Sequence, residues 1–181
     1  MSQSHDAFVH ARLTTWQRRI KNTAADVVPP QTGSAQAAFV PVLDQLVAVY
    51  NLASGLVADL RQSADSSLAT TAAGRAYLAQ LATALAHSNR AATHLSTAVV
   101  GLADIHRHAP RPGTAARVES ELSITLGHAA ALRSLQRALE AVTSALPDTQ
   151  PSPASFPMPT VGEQHRRAAD TAVSIPVRRR P

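Results

Sequence analysis

The residues with the greatest capacity for chemistry in this sequence are its eight histidines, because an imidazole binds metal ions and exchanges protons near neutral pH. His87 and His94 are seven residues apart on one predicted helix, which separates them by about 10 Å along its axis. One ion cannot contact both, since a ligand–metal bond is about 2 Å long. Both lie opposite the leucine stripe of their helix, which predicts a solvated face and not a metal site.

A second pair, Asp104 and His108, lies one turn apart at the end of the same predicted helix. Two ligands fall short of a metal site, and the helix dipole alone favours a cationic group in a last turn. A di-iron centre would need several inward glutamates and paired Glu-x-x-His motifs. None of the glutamates has a histidine three residues later: Glu119, Glu121, Glu140 and Glu163. We therefore expect no metal and no cofactor.

Catalytic motifs are also missing from the sequence. There is no cysteine, which excludes thiolate nucleophiles, disulfides and Cys-ligated zinc. Neither a Gly-x-Ser-x-Gly elbow nor a phosphate-binding glycine loop is found. With no nucleophile, base or oxyanion site to assign, we expect no catalytic residue and no enzymatic activity.

His128 is the histidine that the pattern places inside the protein. It precedes Leu135 by seven residues and Val142 by fourteen, so it falls on the buried stripe of the last predicted helix. One interpretation is a hydrogen-bonded core histidine. The other is a buried switch whose packing responds to pH, because an imidazole titrates near neutrality.

The elements that would position these residues are helices separated by proline and glycine. Pro29-Pro30 and Pro110-Arg111-Pro112-Gly113 interrupt the chain, and Ser63 to Ser67 forms a softer break. Helices are predicted over about 4–25, 35–62, 67–107 and 114–146. Aromatic residues make up only 3% of the chain and alanine is abundant, so the helices should pack closely. The predicted fold is an all-α, antiparallel four-helix bundle over residues 1–146, with one shorter N-terminal helix and three long ones.

Apolar residues at 4-3 spacing identify the inward face of each helix. The first stripe is Val9, Leu13, Trp16 and Ile20. The second is predicted as Phe39, Leu43, Leu46, Tyr50, Ala53, Val57 and Leu60. The third helix keeps heptad register from Leu78 to Leu102 with alanine at the flanking positions, which is typical of tightly packed antiparallel helices.

The remaining segment, 147–181, is predicted to be a disordered, proline-rich tail. It holds seven of the twelve prolines and too little apolar surface to offset the entropy of ordering. Its end is basic, as is the first helix, and such arginines could contact anions or nucleic acid. The candidate residues are Arg18, Arg19, Arg166, Arg167, Arg178, Arg179 and Arg180. For the first helix we favour covering the bundle over lying on a membrane surface.

The second predicted helix directs the functional interpretation, because it is apolar on more faces than a four-helix bundle covers. We expect contact with a protein partner or a second copy, and nucleic-acid association through the basic ends is the alternative. The candidate helix-contact face is made of small residues: Asp44, Ala48, Asn51, Gly55 and Ala58.

Location is inferred from what the sequence lacks. The longest charge-free apolar stretch, Gln45–Ala58, has 14 residues, whereas a bilayer needs about 20. We therefore expect no transmembrane segment, and with no visible signal peptide we expect a cytoplasmic protein. Every basic residue but Lys21 is an arginine, a bias typical of GC-rich bacterial genomes.

Overall fold

Four α-helices pack against one another in the computed structural model, which describes residues 2–30, 35–108 and 113–144. They are α1 (Ser2–Asp26), α2 (Ala35–Ala64), α3 (Ala72–His108) and α4 (Ala115–Thr143), with a short 3₁₀ helix at Ser67–Thr70. This described part of the chain contains no strand. The predicted all-α fold with four packed helices is therefore confirmed. The predicted disordered tail, 147–181, lies outside the described residues.

Local hydrogen bonds explain where α3 begins. The sequence predicts one helix from residue 67, but Ser66 caps a separate 3₁₀ turn by accepting a hydrogen bond from the Leu68 amide. Thr71 then accepts a hydrogen bond from the Gly74 amide at 2.9 Å, which satisfies one of the free N–H groups at the start of α3. From there α3 continues without interruption through the polar stretch His87–Arg90. Its 37 residues make it about 55 Å long.

The contact between α3 and α4 is very close because small residues line it. Ala84, Ala91 and Ala98 of α3 are fully buried. A Cβ added to Gly127 of α4 would lie 2.7 Å from the carbonyl oxygen of His94, so only glycine permits this approach. The alanine-rich flanks of the third predicted helix thus do pack tightly against a neighbouring helix.

The rotation of α2 about its axis differs from the predicted one. Val42, Val49, Leu52 and Leu56 face the core and are buried. Tyr50 and Val57 of the predicted stripe are instead about half exposed. The prediction of that stripe was wrong at these positions because α2 is apolar on nearly every side, so a 4-3 pattern can be drawn along several of its faces.

A buried carboxylate, Asp59, determines this rotation. It lies on the core side of α2, 6% exposed, and accepts four hydrogen bonds. Two reach Oδ2: from Trp16 Nε1 at 2.6 Å and from the Tyr77 hydroxyl at 2.8 Å. Two reach Oδ1: from Arg12 Nη2 at 2.9 Å and from the Ser63 hydroxyl at 3.1 Å. We call these five residues the Asp59 cluster, and it joins α1, α2 and α3.

The cluster is consistent with the rule that a buried charge must be paired and hydrogen-bonded. Arg12 supplies the opposite charge from the edge of the bundle, and the neutral donors surround the rest of the carboxylate. Burial, together with the hydrogen bond to Asp59, raises the pKa of Tyr77 well above its ordinary value. Tyr77 is therefore protonated at neutral pH, where its hydroxyl donates to Asp59.

Replacing Asp59 with alanine should lower the free energy of unfolding by about 3–5 kcal/mol. The reason is that the Trp16 indole and the Tyr77 hydroxyl would remain buried without their acceptor, and Arg12 would lose its ion pair. Urea unfolding followed by circular dichroism measures the change. Asp65→Ala, at an exposed aspartate just after α2, is the matched control and should cost little. A loss below about 1 kcal/mol for Asp59→Ala would show that the cluster contributes little to stability.

Candidate interaction surface

The residues considered for metal binding do not form a metal site among the described residues. Asp104 and His108 line an open groove of about 450 Å³ between α3 and α4, together with Glu119. No group of three His, Asp or Glu side chains in the described ranges is arranged to hold an ion. The His108 ring nitrogen Nδ1 lies 3.2 Å from the Asp104 carbonyl oxygen of its own helix.

His87 and His94 are less exposed than the sequence predicts. Both are half-buried and not part of a fully solvated face, because α4 covers this side of α3. Burial, followed by the nearby Arg90 and Arg137, lowers the pKa of His87. Its Nδ1 is shielded from solvent and has no hydrogen-bond partner in the described part of the chain.

His128 is buried, as its position on the α4 stripe predicts, and each of its ring nitrogens lies within hydrogen-bonding distance of an acceptor oxygen. Nε2 lies 3.0 Å from Oε1 of Gln45 on α2, and Nδ1 lies 3.2 Å from the carbonyl oxygen of Ile124. Gln45 in turn donates from Nε2 to the Val28 carbonyl at 2.8 Å. That bond orients the Gln45 amide with its oxygen toward the ring, so both neighbours of His128 are acceptors and a neutral ring donates to only one of them. The Nε2–H tautomer donates to Gln45 over the shorter distance and leaves Nδ1 beside the Ile124 carbonyl without a proton to donate. Burial lowers the pKa of His128, and the Ile124 contact opposes that shift.

Two of the arginines in α1 contact other side chains of the bundle. Arg12 is paired with Asp59. The guanidinium of Arg19 stacks over the Trp16 ring, 4.5 Å from its centroid, so it is engaged in packing as well as exposed to solvent. Arg18 is exposed. The five tail arginines considered for nucleic-acid contact, Arg166, Arg167, Arg178, Arg179 and Arg180, lie outside the described residues.

The small-residue face of α2 is approached closely by α1 at one point. A Cβ added to Gly55 would lie 3.0 Å from the Trp16 ring and 3.1 Å from the Arg19 guanidinium. Ala48, two helical turns before Gly55, is half-buried. The other three residues of the face, Asp44, Asn51 and Ala58, are exposed. Small residues on α2 thus admit a helix of the same bundle near Gly55.

Another surface of α2 carries large apolar side chains into solvent. Val40, Val47, Tyr50 and Val57 are between 49% and 61% exposed. We define the outer face of α2 by the positions that follow one another at 3- and 4-residue spacing: Val40, Leu43, Val47, Tyr50, Ser54, Val57 and Arg61. Three of its members belong to the stripe that the sequence predicts as buried. The predicted stripe therefore mixes core residues, such as Ala53 and Leu46, with Tyr50 and Val57, which lie on the outer face.

The apolar character of α2 also bears on the expectation that no segment spans a membrane. Ala37–Ala64 is long and apolar enough to cross a bilayer by length and composition, and 28% of its most apolar window is buried in the bundle. The expectation is therefore not confirmed. A core helix of a soluble protein satisfies the same criterion, although such a helix is usually mostly buried.

One further apolar row is exposed on α4. Val118, Leu122 and Leu126 recur every four residues, and each is slightly more than half exposed. This row matches the outer face of α2 in side-chain size and exposure, but it is shorter.

Comparisons with protein-family models, with curated proteins and with solved structures found no match to this chain.

His128→Leu should flatten the pH dependence of stability. Because burial lowers the pKa of His128 in the folded protein, the unfolded chain takes up a proton first as the pH falls below about 6.5. The free energy of unfolding of the wild type therefore decreases as the pH falls from about 6.5 to the pKa of His128 in the folded protein. The leucine variant has no imidazole at this position, so its free energy of unfolding lacks this decrease. Urea unfolding at several pH values between about 7 and 5 measures it. His10→Gln, at an exposed histidine, is the control, and a leucine variant with the wild-type slope would exclude the switch.

Proposed function

We propose that this protein is a non-catalytic helical bundle that acts by binding a protein helix through the outer face of α2. The observation that carries the proposal is the row of four large apolar side chains, each about half exposed, on one helix. Contiguous apolar rows of this kind on a folded protein mark interaction sites, because leaving them in water is unfavourable.

The spacing of the row favours a helix as the partner. Its apolar positions follow a 3-4 repeat from Val40 to Val57, which is the repeat of helices that pack side by side. A helical partner would meet the whole row along about 26 Å of α2. A globular partner with a flat surface would contact only part of it.

A lipid bilayer fits α2 less well than a protein does. The core side of α2 carries Gln45, Asp59 and Ser63, all hydrogen-bonded inside the bundle. Inserting α2 into a bilayer would break these contacts and leave a carboxylate in hydrocarbon, which costs several kcal/mol. A protein partner can cover the outer face while every hydrogen bond of the core side stays in place.

Nucleic-acid association remains the second hypothesis, and the described residues give it less support. Two of the arginines in α1 already have partners, since Arg12 pairs with Asp59 and Arg19 stacks on Trp16. The apolar row on α2 has no role in an electrostatic interaction with phosphates.

The double variant Val47→Glu, Val57→Glu should abolish association through α2 and leave the fold intact. Two charges in the apolar row would have to be desolvated on binding, so affinity should fall by about tenfold or more. Light scattering over a range of concentrations measures self-association, and retention on an immobilised bundle measures other partners. Leu122→Glu, Leu126→Glu on α4 is the matched control because those residues are equally exposed.

The control variant should associate like the wild type, and both variants should keep the helical circular dichroism spectrum. Association that survives in the α2 variant, or its absence in the wild type toward any protein, would contradict the proposal. Flotation of the wild type with vesicles, lost in the α2 variant, would instead assign the outer face to a membrane.

A further inference from the structure

We infer that the partner of the outer face is the same face of a second copy of this chain, with the two α2 helices paired antiparallel about a two-fold axis. The inference rests on the proposed function and names its partner. It follows from the order of side chains and charges along the face.

One antiparallel register brings the largest side chain of the face opposite one of its smallest. When Val47 lies opposite Val57 of the second copy, Tyr50 lies opposite Ser54, Val40 lies opposite Ala64, and Leu43 lies opposite the aliphatic part of Arg61. The largest side chain of the face thus meets one of its smallest, and the two valines meet each other twice because of the two-fold axis. Large side chains facing small ones let two helices interdigitate.

The charges at the rim of the face fit the same register. Asp44 and Arg61 are both exposed, and neither forms an ion pair with another residue that the structure describes. In the register that pairs Val47 with Val57, Arg61 of one copy lies beside Asp44 of the other. The two-fold axis makes two such pairs, one at each end of the contact.

A parallel pairing would reverse this complementarity. Asp44 would lie beside Asp44, Arg61 would face Arg61, and the bulky Tyr50 would meet Tyr50. Like charges placed together disfavour an arrangement more strongly than an exposed ion pair favours the alternative. Charge and size therefore select the antiparallel orientation.

Cysteine cross-linking tests the orientation directly, because the chain has no cysteine of its own. Val47→Cys and Val57→Cys are prepared separately in the full chain and oxidised alone and as a mixture. A disulfide requires Cα atoms within about 7 Å, so only facing residues become linked. We expect efficient cross-linking in the mixture and little in either variant alone. Efficient cross-linking of Val47→Cys with itself would overturn the inference in favour of a parallel pair.

A charge reversal tests the register without introducing cysteine. Asp44→Arg alone and Arg61→Asp alone should each weaken the dimer by about two- to tenfold, because each places like charges together at both ends. The double variant carries both reversals in one chain and should recover the wild-type dimerisation constant, measured by sedimentation equilibrium. In a parallel pair Asp44 faces Asp44 and Arg61 faces Arg61, so each single change only replaces one like-charge pair with another and would not weaken the dimer. Single variants with the wild-type dimerisation constant, or a double variant that does not recover it, would contradict the antiparallel register.

A wild type that stays monomeric at high concentration and forms no cross-link overturns the second-copy inference. If that monomer still retains another protein, and Val47→Glu, Val57→Glu abolishes the retention, the proposed function stands. If the α2 variant changes no association of any kind, both are overturned.

Discussion

The hydrogen bonding of one carboxylate, Asp59, is the constraint on which the arrangement of the helices depends. Its two oxygens accept from donors on α1, α2 and α3, so the three helices must meet at this point with their donors turned inward. An apolar core would tolerate rotation of α2 by part of a turn, because packing alone accepts many side chains of suitable size. A buried carboxylate tolerates no such rotation, since moving Asp59 away from Trp16 and Tyr77 leaves charge and donors unpaired.

The outward direction of the apolar face follows from the same constraint. With Asp59 turned inward, Tyr50 and Val57 lie on the opposite arc of α2, where no helix of the described bundle covers them. The cluster near one end and the Gln45–His128 contact near the other hold the same side of α2 toward the core. Stability and the proposed function are therefore linked: the polar contacts on one side of the helix determine which apolar residues remain for a partner on the other.

Much of the fold could be predicted from local patterns. Pro29-Pro30 and Gly113-Thr114 mark helix boundaries, the α1 stripe from Val9 to Ile20 is buried throughout, and the alanines of α3 are packed against α4. These features depend on residues close together in the chain. The rotation of α2 could not be predicted in this way, because its apolar residues surround the helix axis. An aspartate in the sequence also indicates an exposed position, and only the partners of Asp59 show why it is buried. Those partners lie 43 and 18 residues away, and Gln45 lies 83 residues from His128.

Titration of the tyrosines tests the rotation of α2 most directly. The chain has two, Tyr50 on the outer face and Tyr77 in the Asp59 cluster, so Tyr50→Phe leaves a single reporter of the core side. Since burial and the contact with Asp59 raise the pKa of Tyr77, stability should be lost as the pH rises well above the ordinary tyrosine value of about 10. Tyrosinate absorbance in this variant should develop only together with the loss of helical circular dichroism. Ionisation of Tyr77 at about pH 10 while the helices stay intact would contradict this rotation of α2.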